Sequence, residues 1–285
     1  MVDRDERRAE AAKHIALMKG AFAAETAASI EAAVVYEDGD GRELELPDPA
    51  FGKTTTSVTT AFPATALYDA EGKAAVIDPA SFSRPAGNYE EGAFGPEQAL
   101  CADSNLYQVL QGMRDRYYRG NRGYASGQLF TDRAMYLPDV VFNRGGDIRT
   151  ANVIAIPEPN RARALENHRS ERECDECLEN RIETLLRIAA VNECQTVVTG
   201  AFGCGRQGFD VDQVIGLFKK WIEAHPGAIG HITFAVPRAH VSAFEAAFGE
   251  PKASAPTPAS HPHREHDDDD FDLSSITLPE GVTLR

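Results

Sequence analysis

Four short runs constrain this chain more than any other feature: Ala74–Asp78, Asn152–Ile156, Thr196–Thr199 and His231–Val236 are nearly continuous apolar stretches bounded by Pro, Gly or Asp. A strand with one wet face alternates, so such runs suit strands covered on both faces. Between them lie stretches with helical character, 97–112, 161–191 and 211–224, and 239–248 closes the set. In the second, Ile182, Leu185, Leu186 and Ala189 recur at three- and four-residue steps, which turns one apolar stripe toward a sheet. Strand and helix in alternation predict a layered α/β fold with a largely parallel sheet. Ligands of such sheets bind beyond the carboxyl ends of the strands, so the loops after Asp78, Ile156 and Thr199 are the candidates.

The flanks read differently. Residues 3–34 are rich in Ala, Glu, Lys and Leu and predict two helices, broken near Gly20; residues 54–67, rich in Thr, Val and Phe, predict extended structure. From Pro251 the chain runs through Ala, Pro, Ser and Thr, then His261-Pro-His-Arg-Glu-His266, then Asp267–Asp270. That composition buries too little apolar surface to offset the entropy of ordering, and predicts a disordered segment. The expected organisation is a helical extension over 1–49, a folded domain over 50–249 and an acidic, mostly disordered tail over 250–285.

Charge narrows the partners. The 285 residues carry a net charge of −15, of which −5 belongs to 250–285. Binding along a nucleic-acid backbone draws on clustered Lys and Arg, so direct nucleic-acid binding is not expected. No run reaches the roughly 18 apolar residues that span a bilayer, and the charged start lacks the apolar core of an export signal. Five cysteines in such a chain favour reduced thiols and a cytoplasmic location. Cys174 and Cys177 with His168 have half the spacing of a zinc site and lack a second pair, so neither a metal nor a cofactor is expected. The histidines at 261, 263 and 266 read as a solvated linker, and Trp221 as core.

Two loops carry the chemistry. Gly200-Ala-Phe-Gly-Cys-Gly-Arg-Gln-Gly208 follows an apolar strand and precedes a helix. Its glycines let backbone N–H groups converge, and the helix start adds positive potential, which together suit a phosphate or pyrophosphate. Gly203, Gly205 and Gly208 also match a dinucleotide-binding spacing, but that fingerprint needs an acid about 20 residues on, at the end of the next strand, where this chain has Pro237-Arg238. The second loop runs from Pro79 to Gln98 with Gly87, Asn88, Gly92 and Gly95, and opens a helix at Pro96. Tyr89 and Phe94 are its aromatic candidates for touching a ligand or anchoring the loop.

Together the 78–98 loop, the helix entry Leu100–Tyr107, the segment Phe130-Thr-Asp-Arg through Arg144, and Gly200-Ala-Phe-Gly-Cys-Gly205 resemble the microbial-type poly(ADP-ribose) glycohydrolases, in order along residues 5–249. The resemblance implies a macrodomain-like α/β/α sandwich with a mixed sheet and a helical N-terminal extension. It implies ADP-ribose or an ADP-ribosylated protein as partner, held by Asp78, Gly87, Asn88 and the loop Gly200, Ala201, Phe202, Gly203, Cys204, Gly205, Arg206, Gln207, Gly208. The family's acid/base carboxyl, the second Glu of a Gln-Glu-Glu motif, falls on Gln98, with Glu97 before it. An amide hydrogen-bonds but does not give up and retake a proton as that role demands. Asp78 stands where the family has Asn, facing a ligand ribose, and Arg206 and Gln207 replace apolar residues. The expectation is ADP-ribose recognition with weak or absent glycohydrolysis. Two alternatives remain: a hydrolase acting on another ADP-ribosyl or nucleotide substrate through Glu97, or Glu90 or Glu91, with Arg206 on a phosphate; and a non-catalytic protein-interaction scaffold, for which the acidic tail is the candidate recruiting segment.

Overall fold

The computed structural model describes residues 3–124 and 127–249; the tail and its histidines lie outside the described residues. Along the chain the elements are α1 (Arg4–Ala21), α2 (Ala23–Ala32), β1 (Val34–Tyr36), α3 (Asp40–Glu43), β2 (Thr55–Thr59), α4 (Pro63–Ala66), β3 (Ala74–Pro79), α5 (Pro96–Ala102), α6 (Leu106–Gly112), β4 (Ala134–Arg144), β5 (Asp147–Ile156), α7 (Arg161–Glu166), α8 (Glu171–Val191), β6 (Thr196–Thr199), α9 (Val211–Ala224), β7 (His231–Ala235) and α10 (Val241–Phe248). The N-terminal helices belong to the same compact unit, Met1–Glu250, as the sheet.

The strands form a seven-stranded sheet in the order β1-β4-β5-β3-β6-β7-β2. β5, β3, β6, β7 and β2 run parallel, whereas β4 is antiparallel to β5 and β1 antiparallel to β4. The sheet is therefore largely parallel, as the alternation of strand and helix predicts, and mixed at one edge, as the resemblance implied. All four apolar runs are strands, and their period of two splits the core. Ala75, Ile77, Ile154, Ile156, Val197, Ile232 and Phe234 pack against α8, α9 and α10. Ala74, Val76, Val153, Ala155, Val198 and Ala235 face the other way, onto residues of α1, α4, α5 and α6. Three layers result, and each fully buried Leu, Ile or Phe contributes about 1.5–3 kcal/mol. Trp221 is buried in the first of these clusters.

The local departures from the sequence reading have identifiable causes. The 97–112 stretch is two helices, because Ser104 turns its hydroxyl back to Leu100 O (2.6 Å) and Asn105 bridges to Val141 N (2.9 Å). The 161–191 stretch also divides, since His168 adopts φ +61° and Ser170 starts α8 afresh with a capping box to Glu173. The 54–67 stretch is extended only in β2; Pro63 at a first helical position begins α4. The first helix passes Gly20 and ends at Ala21. Strand β4 escapes the pattern because a bulge between Leu137 and Val140, with Asp139 at φ +52°, breaks its alternation.

Candidate functional site: the mouth at the strand ends

The carboxyl ends of β3, β5 and β6 lie side by side in the sheet, and the loops that leave them are tied to one another. Ala80 N donates to Ile156 O at 3.1 Å, joining the loop after β3 to the end of β5. Glu158, two residues beyond β5, accepts from Gly203 N at 2.7 Å and from Gln207 Nε2 at 2.9 Å, joining it to the glycine-rich loop after β6. The three loops singled out by strand-end reasoning thus form one mouth.

Inside it, α5 starts with Pro96, which places Glu97 and Gln98 in its first turn. Glu97 is only 3% exposed; its Oε2 accepts from Ser81 Oγ at 2.5 Å and from Gln98 Nε2 at 3.2 Å, while Oε1 is buried with no partner. Gln98 Nε2 also donates to Ala86 O at 3.2 Å. The backbone at Gly87 (φ +58°) passes directly over this pair: a Cβ there would sit 2.6 Å from Gln98 Nε2, 2.9 Å from Ser81 Oγ and 3.2 Å from Glu97 Oε2. Only glycine permits that approach. Asn88 follows, with a buried, unpartnered Oδ1.

Asp78, at the end of β3, is fully buried and neither carboxyl oxygen has a partner. Burial, reinforced by the carboxyls of Glu97 and Glu158, holds its pKa well above the ordinary carboxylate value. A raised pKa favours the protonated form of Asp78, which would donate as well as accept a hydrogen bond. Burial pushes Glu97 up to about 7, against the hydrogen bonds from Ser81, Ala86 and Gln98 that favour its ionised form. Burial raises Glu158 as well, opposed by Gly203 and Gln207.

In the glycine-rich loop Gly203, Gly205 and Gly208 take φ +83°, +67° and +86°, values natural to glycine alone. Three of the backbone N–H groups expected there are already engaged. Gly203 N serves Glu158, and the start of α9 is capped by Asp210, which accepts from Asp212 N (2.9 Å) and Gln213 N (3.2 Å). The short turn Gly205–Gln207 has no side-chain cap, which leaves its first-turn N–H groups as candidate donors. At Gly205 an added Cβ would meet nothing within 4 Å, so the loop faces open space there. Gly200 and Ala201 lead into the loop, Phe202 is buried beneath it, and Arg206 is exposed. Burial, reinforced by the Glu158 and Asp210 carboxyls, pushes the Cys204 thiol up to about 12, which disfavours the thiolate a nucleophile needs.

The remaining candidates separate. Tyr89 anchors the loop rather than facing a ligand, being 5% exposed with its hydroxyl 3.2 Å from His14 Nδ1 on α1. Phe94 is 65% exposed. Glu90 and Glu91 lie in a single 3-10 turn, where Glu91 pairs with Arg4 and Arg84. Cys174 is buried on the inner face of α8 and Cys177 Sγ lies 3.4 Å from Leu129 O. Sequence reasoning missed Ser81 and Glu158. An acid between two prolines, Pro157-Glu158-Pro159, directly after a buried strand was the available signal.

Fold and site define a three-layer α/β/α domain whose ligand mouth gathers a glycine-rich loop and buried carboxyls at the strand ends. The family described as microbial-type PARG, catalytic domain, matches residues 8–145. The fold is that of poly(ADP-ribose) glycohydrolase from Thermomonospora curvata, at a TM-score of 0.74 and 24% identity over 85% of this chain and 98% of that one. The Thermomonospora curvata enzyme bound to the inhibitor ADP-HPD matches at 0.72 and 25%, over 85% and 98%. The Deinococcus radiodurans enzyme in complex with ADP-ribose matches at 0.69 and 29%, over 78% and 96%. No curated protein sequence matches the chain. The chain is therefore poly(ADP-ribose) glycohydrolase-like in sequence and in its macrodomain-like fold.

Proposed function

We propose that this protein recognises ADP-ribose, free or attached to protein, at the mouth formed by the loops after β3, β5 and β6, and that it cleaves the ribosyl linkage poorly. The observation that carries this reading is the amide at position 98 within a site that is otherwise assembled. Gln98 occupies the acid/base position implied by the family motif, and it is clamped between Ala86 O and Glu97. Asp78, Gly87 and Asn88 would receive the distal ribose, and Gly200–Gly208 the pyrophosphate. No helix among the described residues is long and apolar enough to cross a membrane, and all five cysteines are free, which supports a cytoplasmic setting.

The test is release of ADP-ribose from poly(ADP-ribose). The native chain should release little, and Gln98→Glu should raise the rate by about 100- to 10,000-fold, the usual worth of a positioned acid/base. A second reading, active hydrolysis of an ADP-ribosyl or nucleotide substrate through Glu97, is favoured by its pKa near 7, a value suited to proton transfer at neutral pH. Robust native activity that disappears in Glu97→Gln would establish it in place of the first.

A further inference from the structure

Glu158 is set against the ligand that the mouth is proposed to hold. It leaves β5 between two prolines, Pro157-Glu158-Pro159, and is partly buried, with its carboxylate lodged in the glycine-rich loop. Oε1 accepts from Gly203 N at 2.7 Å and Oε2 from Gln207 Nε2 at 2.9 Å. Gln207 closes the turn Gly205–Gln207, whose first-turn N–H groups are the candidate phosphate donors. An anion of the protein's own therefore shares the loop with the pyrophosphate proposed to bind there, and like charges in a desolvated site disfavour one another.

The carboxylate is not free to swing aside. Arg181 Nη1 donates to Pro157 O at 2.7 Å, Asn160 N donates to Gln128 O at 2.9 Å, and Asn160 Oδ1 caps α7 by accepting from Arg163 N at 3.0 Å. The rings of the two flanking prolines fix φ on either side of it. Among the described residues no guanidinium pairs with it. Arg161 on α7 is turned to Gly208 O and Glu171, Arg181 on α8 to Pro157 O and Leu129 O, and Arg206 in the loop is exposed. The other titratable groups around it are Asp78 at the end of β3, raised by burial and then by Glu97 and Glu158, and Cys204, raised by burial and then by Glu158 and Asp210. Burial raises Glu158 in turn, against its two hydrogen bonds. Protonation is the remaining way to relieve the repulsion. A protonated carboxyl still accepts from Gly203 N, and its O–H donates to Gln207 once that amide turns over.

We propose that Glu158 is a built-in competitor for the glycine-rich loop, taking up a proton from solvent as a pyrophosphate enters, so that binding of ADP-ribose is proton-linked and weakens as pH rises. The proposal rests on the ADP-ribose reading above. Its sign follows from linkage: a ligand that favours the protonated carboxyl raises its pKa further, and between the free and bound values each binding event takes up a proton. The pyrophosphate of ADP-ribose is a diester, without the ionisation near about pH 6 of a terminal phosphate. The proton counted on binding therefore belongs to the protein.

Calorimetric titration of the full chain with ADP-ribose, from about pH 5 to pH 8 and in buffers of differing ionisation heat, measures both affinity and proton uptake. Affinity should fall by up to about tenfold per pH unit, with up to about one proton taken up per ligand. Glu158→Gln keeps the size of the side chain and an acceptor for Gly203 N while discarding the charge. It should bind more tightly than the native chain at the alkaline end and lose most of the proton uptake. Gln207→Leu removes one of the two bonds that favour the carboxylate, and should move the uptake window to higher pH. Glu97→Gln, which leaves Glu158 charged, should retain the uptake. Binding indifferent to pH, or uptake undiminished in Glu158→Gln, would overturn the proposal while leaving ADP-ribose recognition standing. No saturable heat at any pH would overturn both.

Discussion

Glu97 and Gln98 are neighbours in the first turn of one helix, yet burial and hydrogen bonding give them separate roles. Gln98 cannot relay a proton, so its amide serves to bridge Ala86 O and Glu97. Glu97 is a buried carboxyl whose pKa stands at about 7 in the fold, against about 4.5 when solvated. A raised folded-state pKa stabilises the fold fully below the solvated value and loses that contribution as pH climbs through the folded one. Thermal unfolding should therefore show stability falling between about pH 4.5 and pH 7. Glu97→Gln should flatten that fall by roughly 1–3 kcal/mol; an unchanged slope would mean Glu97 is ionised in the native state. Asp78 acts in the same direction, since its pKa is also raised. The motif alignment singles out Gln98, Glu97 and Asp78, and the fold brings Gln98 against Glu97. The raised pKa of Asp78 and the contacts of Glu158 were not legible, because both arise from groups far apart in the chain.

Among the elements, α1 is more than an appendage. Arg4 Nε donates to Glu91 O at 3.0 Å and Arg7 Nε to Gly92 O at 2.9 Å, so the helix grips the same loop that covers Glu97. Gly92 (φ +75°) lets them meet: a Cβ there would lie 2.3 Å from Arg4 O and 2.9 Å from Arg8 N. Gly92→Val should therefore destabilise the domain by roughly 1–3 kcal/mol. Amide hydrogen exchange should show the loss concentrated in α1 and in 89–95, and uniform protection would contradict this coupling. Helices α1, α2, α9 and α10 and the four covered strands were legible because period and composition agree there. The splits at 103–105 and 167–170 were not, since single side chains, Ser104 and Ser170, redirect the backbone against an otherwise helical composition. Strands β1 and β4 were hidden by brevity and by a bulge.

At the scale of the whole molecule, net charge and site chemistry oppose each other. A chain of net charge −15 repels a polyanion at long range, while the donors that would hold a pyrophosphate are backbone N–H groups needing no basic residue. The rate of association with ADP-ribose oligomers should accordingly rise as salt increases from about 10 mM to 150 mM, the reverse of electrostatic steering. Stopped-flow mixing would show this, and a rate that falls with salt would point to a local basic path into the mouth. Composition argues against bulk nucleic-acid binding but does not show that a single anionic ligand remains compatible with the fold.

The central claim is tested most directly by calorimetric titration of ADP-ribose into the native chain and into Gly205→Ala, where the added methyl enters the open side of the glycine-rich loop at φ +67°. Saturable heat from the native chain, weakened about tenfold or more by strain and crowding at that turn, is the predicted result. No heat from the native chain at millimolar ligand would contradict the account.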